Sequence, residues 1–212
     1  EQAREPMVRS DFLLNTFVTI SVYDSDDETL LDGAMDLCRE YENRFSKTIE
    51  GSEIYQLNHR SPEETVFSLS SDTASLIEEG LFYSRLSDGA YDLTVEPLSS
   101  LWDFTSGQNV IPPKEDIETG NTLTFLSPDT TLDLGSIAKG FIADRLKEYL
   151  VSQGVESAII NLGGNVLCIG SQPDGEPFRI GIQKPFASHN ETVGFVEIDD
   201  ASVVSSGVYE RC

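Results

Sequence analysis

The sequence predicts an α+β fold, with amphipathic helices packed on a largely antiparallel sheet. Helix-period stretches stand apart at about residues 30–45, 71–86 and 137–150, strand-like alternation crowds the stretch after residue 157, and no βαβ unit repeats. A doubly wound parallel sheet would need that repetition. The 212 residues allow one domain or two small ones by length alone, with no internal repeat.

In chain order, residues 12–23 (FLLNTFVTISVY) alternate Val18, Ile20 and Val22 against Thr19 and Ser21, as a strand with one wet face does. Ser25 and Asp26 then suit a helix start. Leu30, Ala34, Leu37, Tyr41 and Phe45 step by three or four and place one stripe toward a core, with Glu42 and Arg44 on the other side. In FSKTIEGSEIYQLN a turn is expected at Gly51 and a short helix opened by Ser52 and Glu53. Val66–Leu69 reads as a brief strand. A second amphipathic helix capped by Ser71 would bury Leu76, Ile77, Leu81 and Leu86, and Asp88-Gly89 would end it.

The run GAYDLTVEPLSSLWDF sets Tyr91, Trp102 and Phe104 around Asp92, Thr94 and Pro97. It reads either as a pocket for a flat ring or as a core corner with a capping carboxylate. Residues 105–128, rich in Gly, Pro, Asn and Asp, read as loop. SAIINLGGNVLCIG then gives strand, paired glycines and strand, so backbone must come close there to a ligand or to another strand. FRIGIQKP and TVGFVEID alternate as an antiparallel pair, and ASVVSSGVYE as a further strand.

Charge sets the boundary on partners. With 37 acidic and 14 basic residues the net charge is −23, a field that repels nucleic acid and anionic membrane surfaces. An anionic ligand on such a molecule calls for a divalent cation to offset carboxylates and phosphates together. Cys38, Cys168 and Cys212 are too scattered for a disulfide framework or a zinc site and read as small apolar side chains. No apolar run approaches membrane-spanning length, and EQAREPM is not a signal peptide.

The pivot of the chain is LDLGSIAKGFIADR, residues 132–145, where an expected short strand (Leu132, Leu134) meets Gly135 and a helix carrying Ile137, Phe141, Leu146 and Leu150 to a stop at Gly154. A helix start leaves amides unpaired and suits a phosphate, and Lys139 adds a full positive charge one turn in. The motif is neither a Walker A loop nor GxGxxG. On its own it reads more readily as a packed βα unit whose Lys139 lies in solvent.

Taken together and in this order, LDLGSIAKGFIADR, GAYDLTVEPLSSLWDF, NLGGN, GIQKP and SSGVYER resemble the ApbE-like flavin transferases, the FAD:protein FMN transferases, across nearly the whole chain. The resemblance implies an ApbE or T-fold-like domain that moves FMN from FAD to a Thr or Ser hydroxyl of an acceptor flavoprotein and releases AMP, with Mg²⁺. It implies that Ala90, Tyr91, Asp92, Asp133 and Lys139 contact FAD, that the Ser136 carbonyl binds the metal, and that Leu14 packs on the flavin. Hydrolysis of FAD to FMN and AMP, or flavin binding without chemistry, are the alternative activities. No residue stands out as the catalytic base, since His59 and His189 lie in polar surroundings.

Two departures carry expectations. Thr48 stands where the family commonly has a tyrosine, so the FAD contact at Thr48 lacks a stacking ring and FAD is expected to be held less tightly. The family also continues past the SGVYER strand into a His-x-x-Asp-Pro-x-Thr-Gly segment with further metal ligands. Cys212 ends this sequence one residue after that strand, so the resemblance implies a further C-terminal portion and a break near Thr119-Gly120. It also implies an extracytoplasmic, membrane-tethered lipoprotein acting on a subunit of a redox-driven ion pump.

Overall fold

The computed structural model describes residues 5–94, 117–118, 122–186 and 191–205. The chain divides into two units: Glu1–Arg39 with Ile142–Cys212, and the continuous segment Glu40–Phe141. Helix and sheet are mixed, and every strand pairing among the described residues is antiparallel, as the α+β expectation has it.

The first unit holds a five-stranded sheet in the order β1-β2-β6-β7-β10, made of β1 (Met7–Leu13), β2 (Thr16–Val22), β6 (Ala158–Leu162), β7 (Asn165–Ile169) and β10 (Ser202–Val204). The strand expected over 12–23 is two strands. Leu14 and Asn15 form a two-residue hairpin turn, Leu13 pairing with Thr16, and both turn residues have positive φ (55° and 56°). No glycine marks that turn. Left-handed backbone strains a leucine, whereas asparagine tolerates it. β2 buries Val18, Ile20 and Val22 as the alternation requires.

Helix α1 (Thr29–Phe45) starts later than expected: Asp27 Oδ1 accepts from the Thr29 backbone N–H at 3.0 Å and from its hydroxyl at 2.6 Å. Leu30, Leu31, Ala34, Met35 and Cys38 are buried along it, while Leu37 is only half-buried. Gly33 lies against the phenol of Tyr149 on a later helix, leaving no room for a Cβ.

At Gly163 and Gly164 (φ 63° and 88°) the β6–β7 turn answers what approaches the paired glycines within this unit: the Thr16 side chain fills the space a Cβ on Gly163 would need. The pair β8 (Phe178–Gln183) and β9 (Thr192–Ile198) forms a separate ribbon. Cys38 and Cys168 are fully buried, and burial pushes the Cys168 thiol up to about 11. Neither is expected to take up iodoacetamide at pH 8 in the native protein. Peptide mass spectrometry checks this, and label on Cys38 or Cys168 before denaturant is added would contradict it.

The second unit contains the C-terminal part of α1, α2 (Glu53–Asn58), β3 (Val66–Ser68), α3 (Ser71–Leu86), β4 (Ile117–Glu118) and β5 (Thr122–Phe125). Its sheet runs β3-β5-β4. β4 and β5 fall within the stretch read as loop; in β5, Leu123 and Phe125 are buried and alternate with Thr122 and Thr124, a period hidden by the turn-forming residues around it. Tyr41, Phe45 and Phe141 pack as a cluster, with ring centroids 5.3 to 6.1 Å apart.

The N-cap of α3 is Ser70, not Ser71: the Ser70 hydroxyl accepts from Thr73 N–H, and Glu53 accepts from Ser70 N–H and from the Ser70 and Thr73 hydroxyls. Leu76 and Ile77 are core, but Leu86 is 70% exposed, contrary to expectation, because the end of α3 runs out over solvent. Asp88 and Gly89 both take positive φ after that helix, as a left-handed terminator requires. Helix α4 (Ala138–Ser152) carries the chain back into the first unit and buries Ile142, Ala143, Leu146 and Leu150.

Candidate functional site

The second unit assembles its site around Asp133. Residues 132–134 are buried at Leu132 and Leu134, but they are not the expected sheet strand; only Thr131 makes a bridge. A side chain takes the place of a neighbouring strand. The Asn58 amide donates to the Leu132 carbonyl at 2.8 Å and accepts from the Leu132 N–H at 2.7 Å. One residue on, the Asp133 N–H donates to the Leu93 carbonyl at 2.9 Å. Backbone that would otherwise be buried without partners is thereby satisfied.

The Asp133 carboxylate faces two donors. Oδ1 accepts from the Gly135 N–H at 2.8 Å, closing a turn that leads through Ser136 and Ile137 into α4, and Oδ2 accepts from Lys47 Nζ at 2.9 Å. Lys47 is held out to it by a braced loop: Ser46 Oγ accepts from Thr48 and Ile49 N–H, and the buried Ser52 hydroxyl donates to the Ser46 carbonyl. Thr48 is exposed, with its hydroxyl 3.1 Å from that of Ser46. Lys139 sits half-buried in the first turn of α4.

The second segment of the site follows the end of α3. Ser87 Oγ accepts from the Tyr91 N–H at 2.9 Å, and the Tyr91 hydroxyl lies 3.2 Å from Ser136 Oγ. Asp92 Oδ1 accepts from the Thr94 N–H and hydroxyl at 2.8 and 2.7 Å, so this carboxylate shapes its own turn. Ala90 is exposed beside them. Tyr83, Leu86, Ser87, Tyr91, Ser136 and Ile137 line an open, mainly apolar cleft of about 480 Å³. Leu86, a misplaced core residue on the sequence reading, is thus a wall of this cleft.

Tyr91, Asp133 and Ser136 therefore meet in one unit, with Lys139 following them on α4, and the structure adds Lys47, Asn58 and Ser87, which the sequence reading left without a role. Lys47 and Asn58 lie in FSKTIEGSEIYQLN, but their partners are 86 and 74 residues away, and nothing in the local pattern signals them. Leu14 stands in the strained turn of the first unit. Trp102, Phe104, Pro97, His189, Cys212 and Thr119-Gly120 lie outside the described residues. His59 stacks on Tyr55 at 3.8 Å, its Nδ1 2.9 Å from the Tyr55 carbonyl. Among the described residues no three His, Cys, Asp or Glu side chains form a metal-holding group.

The ApbE family model matches residues 14–212. The chain is 35% identical over 217 residues to an FAD:protein FMN transferase from Klebsiella pneumoniae, covering 95% of this chain and 66% of that relative. It is 31% identical over 202 residues to one from Vibrio cholerae, covering 88% and 60%. Among solved structures, flavin transferase ApbE from Vibrio cholerae superposes with a TM-score of 0.81 at 30% identity, covering 98% of this chain and 73% of that one. The ApbE protein of Thermotoga maritima gives 0.82 at 27% identity, covering 98% and 72%. This chain thus spans roughly 60 to 66% of the length of the two curated relatives.

Proposed function

Since the chain belongs to the ApbE family, we propose that it transfers FMN from FAD to a threonine or serine hydroxyl of an acceptor protein, with release of AMP. The observation that carries this reading is the corner itself: Asp133 closes the turn into α4, and Tyr91 meets Ser136 beside an apolar cleft. A turn opening a helix presents amides to a pyrophosphate, and a cleft with an aromatic wall accepts a flat ring. In the reaction the acceptor oxygen forms a bond to the FMN phosphorus, the bridging P–O bond breaks, AMP departs, and the hydroxyl proton leaves to a base.

A hard divalent cation suits this donor set. Magnesium takes oxygen ligands and fills its remaining positions with phosphates and water, and the Ser136 carbonyl, in the turn that Asp133 closes, would supply one of those oxygens. When bound it would offset charge on the phosphate oxygens of the displacement. Lys139 would hold the pyrophosphate, and Tyr91 would keep the Ser136 segment oriented through the 3.2 Å hydroxyl contact.

Incubation with FAD, Mg²⁺ and a threonine-bearing acceptor domain tests the reading. A flavin-fluorescent acceptor band with release of AMP is expected, and EDTA should abolish it. Free FMN with AMP would make the protein a hydrolase, and unchanged FAD a carrier. An extracytoplasmic, lipid-tethered setting and an ion-pump subunit as acceptor are further proposals from the family likeness, which fractionation of the source cells and recovery of the labelled acceptor would test. Among the described residues no helix is long and apolar enough to cross a membrane.

A further inference from the structure

We infer that Lys47 is a positioning residue for the dinucleotide, acting through Asp133; the inference rests on the FAD reading of this corner. Asp133 has one carboxylate oxygen committed to the Gly135 N–H, the bond that shapes the turn into α4. The other oxygen is held by Lys47 at 2.9 Å, with the two side chains 35% and 25% exposed. The lysine therefore does two things. It keeps the carboxylate in the rotamer that closes the turn, and it offsets that carboxylate's own negative charge where a polyanionic ligand must settle on a protein of net charge −23.

The loop that carries Lys47 is built for fixed placement. Ser46 takes two backbone N–H groups of the loop and gives its own carbonyl to the buried Ser52 hydroxyl, so the chain leaves α1 in one conformation. Lys47 is distant in sequence from every glycine-rich or acidic motif of the site, and reaches it only through the fold. Its task differs from that of Lys139, which belongs to the helix start itself.

The expected result for Lys47→Met is a rise of about threefold to fivefold in both the Kd and the KM for FAD, with kcat unchanged. Lys47→Arg should stay within about twofold of the parent. The Lys47→Met/Asp133→Asn double variant should bind FAD no more weakly than Asp133→Asn alone, since both changes break one interaction. A purely structural lysine would instead lower the folded fraction, which cuts apparent kcat at constant KM. The inference is overturned if Lys47→Met keeps its FAD Kd within twofold of the parent, if its loss falls on kcat alone, or if the two single losses multiply in the double variant. A parent that binds FAD but labels no acceptor sinks the transferase reading and leaves Lys47 tested by Kd. A parent that binds no FAD overturns both.

Discussion

Replacing Asp133 with alanine is expected to lower FAD affinity by about a hundredfold, read by calorimetric titration of FAD in the presence of Mg²⁺. Two interactions disappear together: the bond from the Gly135 N–H, and the ion pair with Lys47. The bond to the ionised carboxylate contributes about 1.5 to 3 kcal/mol and the partly exposed ion pair up to about 1 kcal/mol, and a hundredfold fall, about 2.7 kcal/mol, lies within that sum. The alanine variant would also leave Lys47 without its carboxylate partner and the turn before α4 without its closing acceptor. An asparagine side chain in the same place would retain an acceptor for the Gly135 N–H, so Asp133→Asn should lose about tenfold only. Equal losses in the two variants would mean that the charge, not the turn, carries the effect; affinity unchanged in both would remove Asp133 from the site.

The second large effect is one of stability. Asn58→Ala is expected to cost about 2 to 3 kcal/mol, because it removes two hydrogen bonds and leaves both backbone groups of the fully buried Leu132 without their partner. The loss should be local in its first expression. Native-state hydrogen exchange should show faster exchange at Leu132 and Asp133, while the β2–β6 ladder of the other unit keeps its protection. Asn58→Asp keeps an acceptor for the Leu132 N–H but sets a carboxylate against the Leu132 carbonyl, and should fall between alanine and the parent. Exchange at Leu132 unaltered in Asn58→Ala would show that this side chain is not the partner holding the segment.

These two residues mark how far the sequence could be read. Alternation in β2, the helical stripe of α1 and the glycine pair between β6 and β7 were legible because each depends on neighbours close in the chain. Asp133 and Lys139 were legible as a charged helix entry. The turn at Leu14-Asn15 was hidden because a leucine occupies left-handed backbone, and β5 because turn formers crowd its flanks. The partnerships of Lys47 with Asp133 and of Asn58 with Leu132 were out of reach for a different reason: they are made in space between segments with no periodicity relating them. Likewise, Leu86 obeyed the helical period but lies past the last turn that the core covers, so the same hydrophobicity serves a cleft wall.

The division of the chain also bears on its biogenesis. The stretch Glu40–Phe141 is continuous, so as the polypeptide leaves the ribosome it can collapse while synthesis proceeds. The other unit cannot, because β2 awaits β6, whose residues emerge only after that whole stretch has been made. In the interval the nascent β1–β2 ribbon has an unpaired margin and a pair of outward phenylalanines, Phe12 and Phe17, making it a natural target for a chaperone.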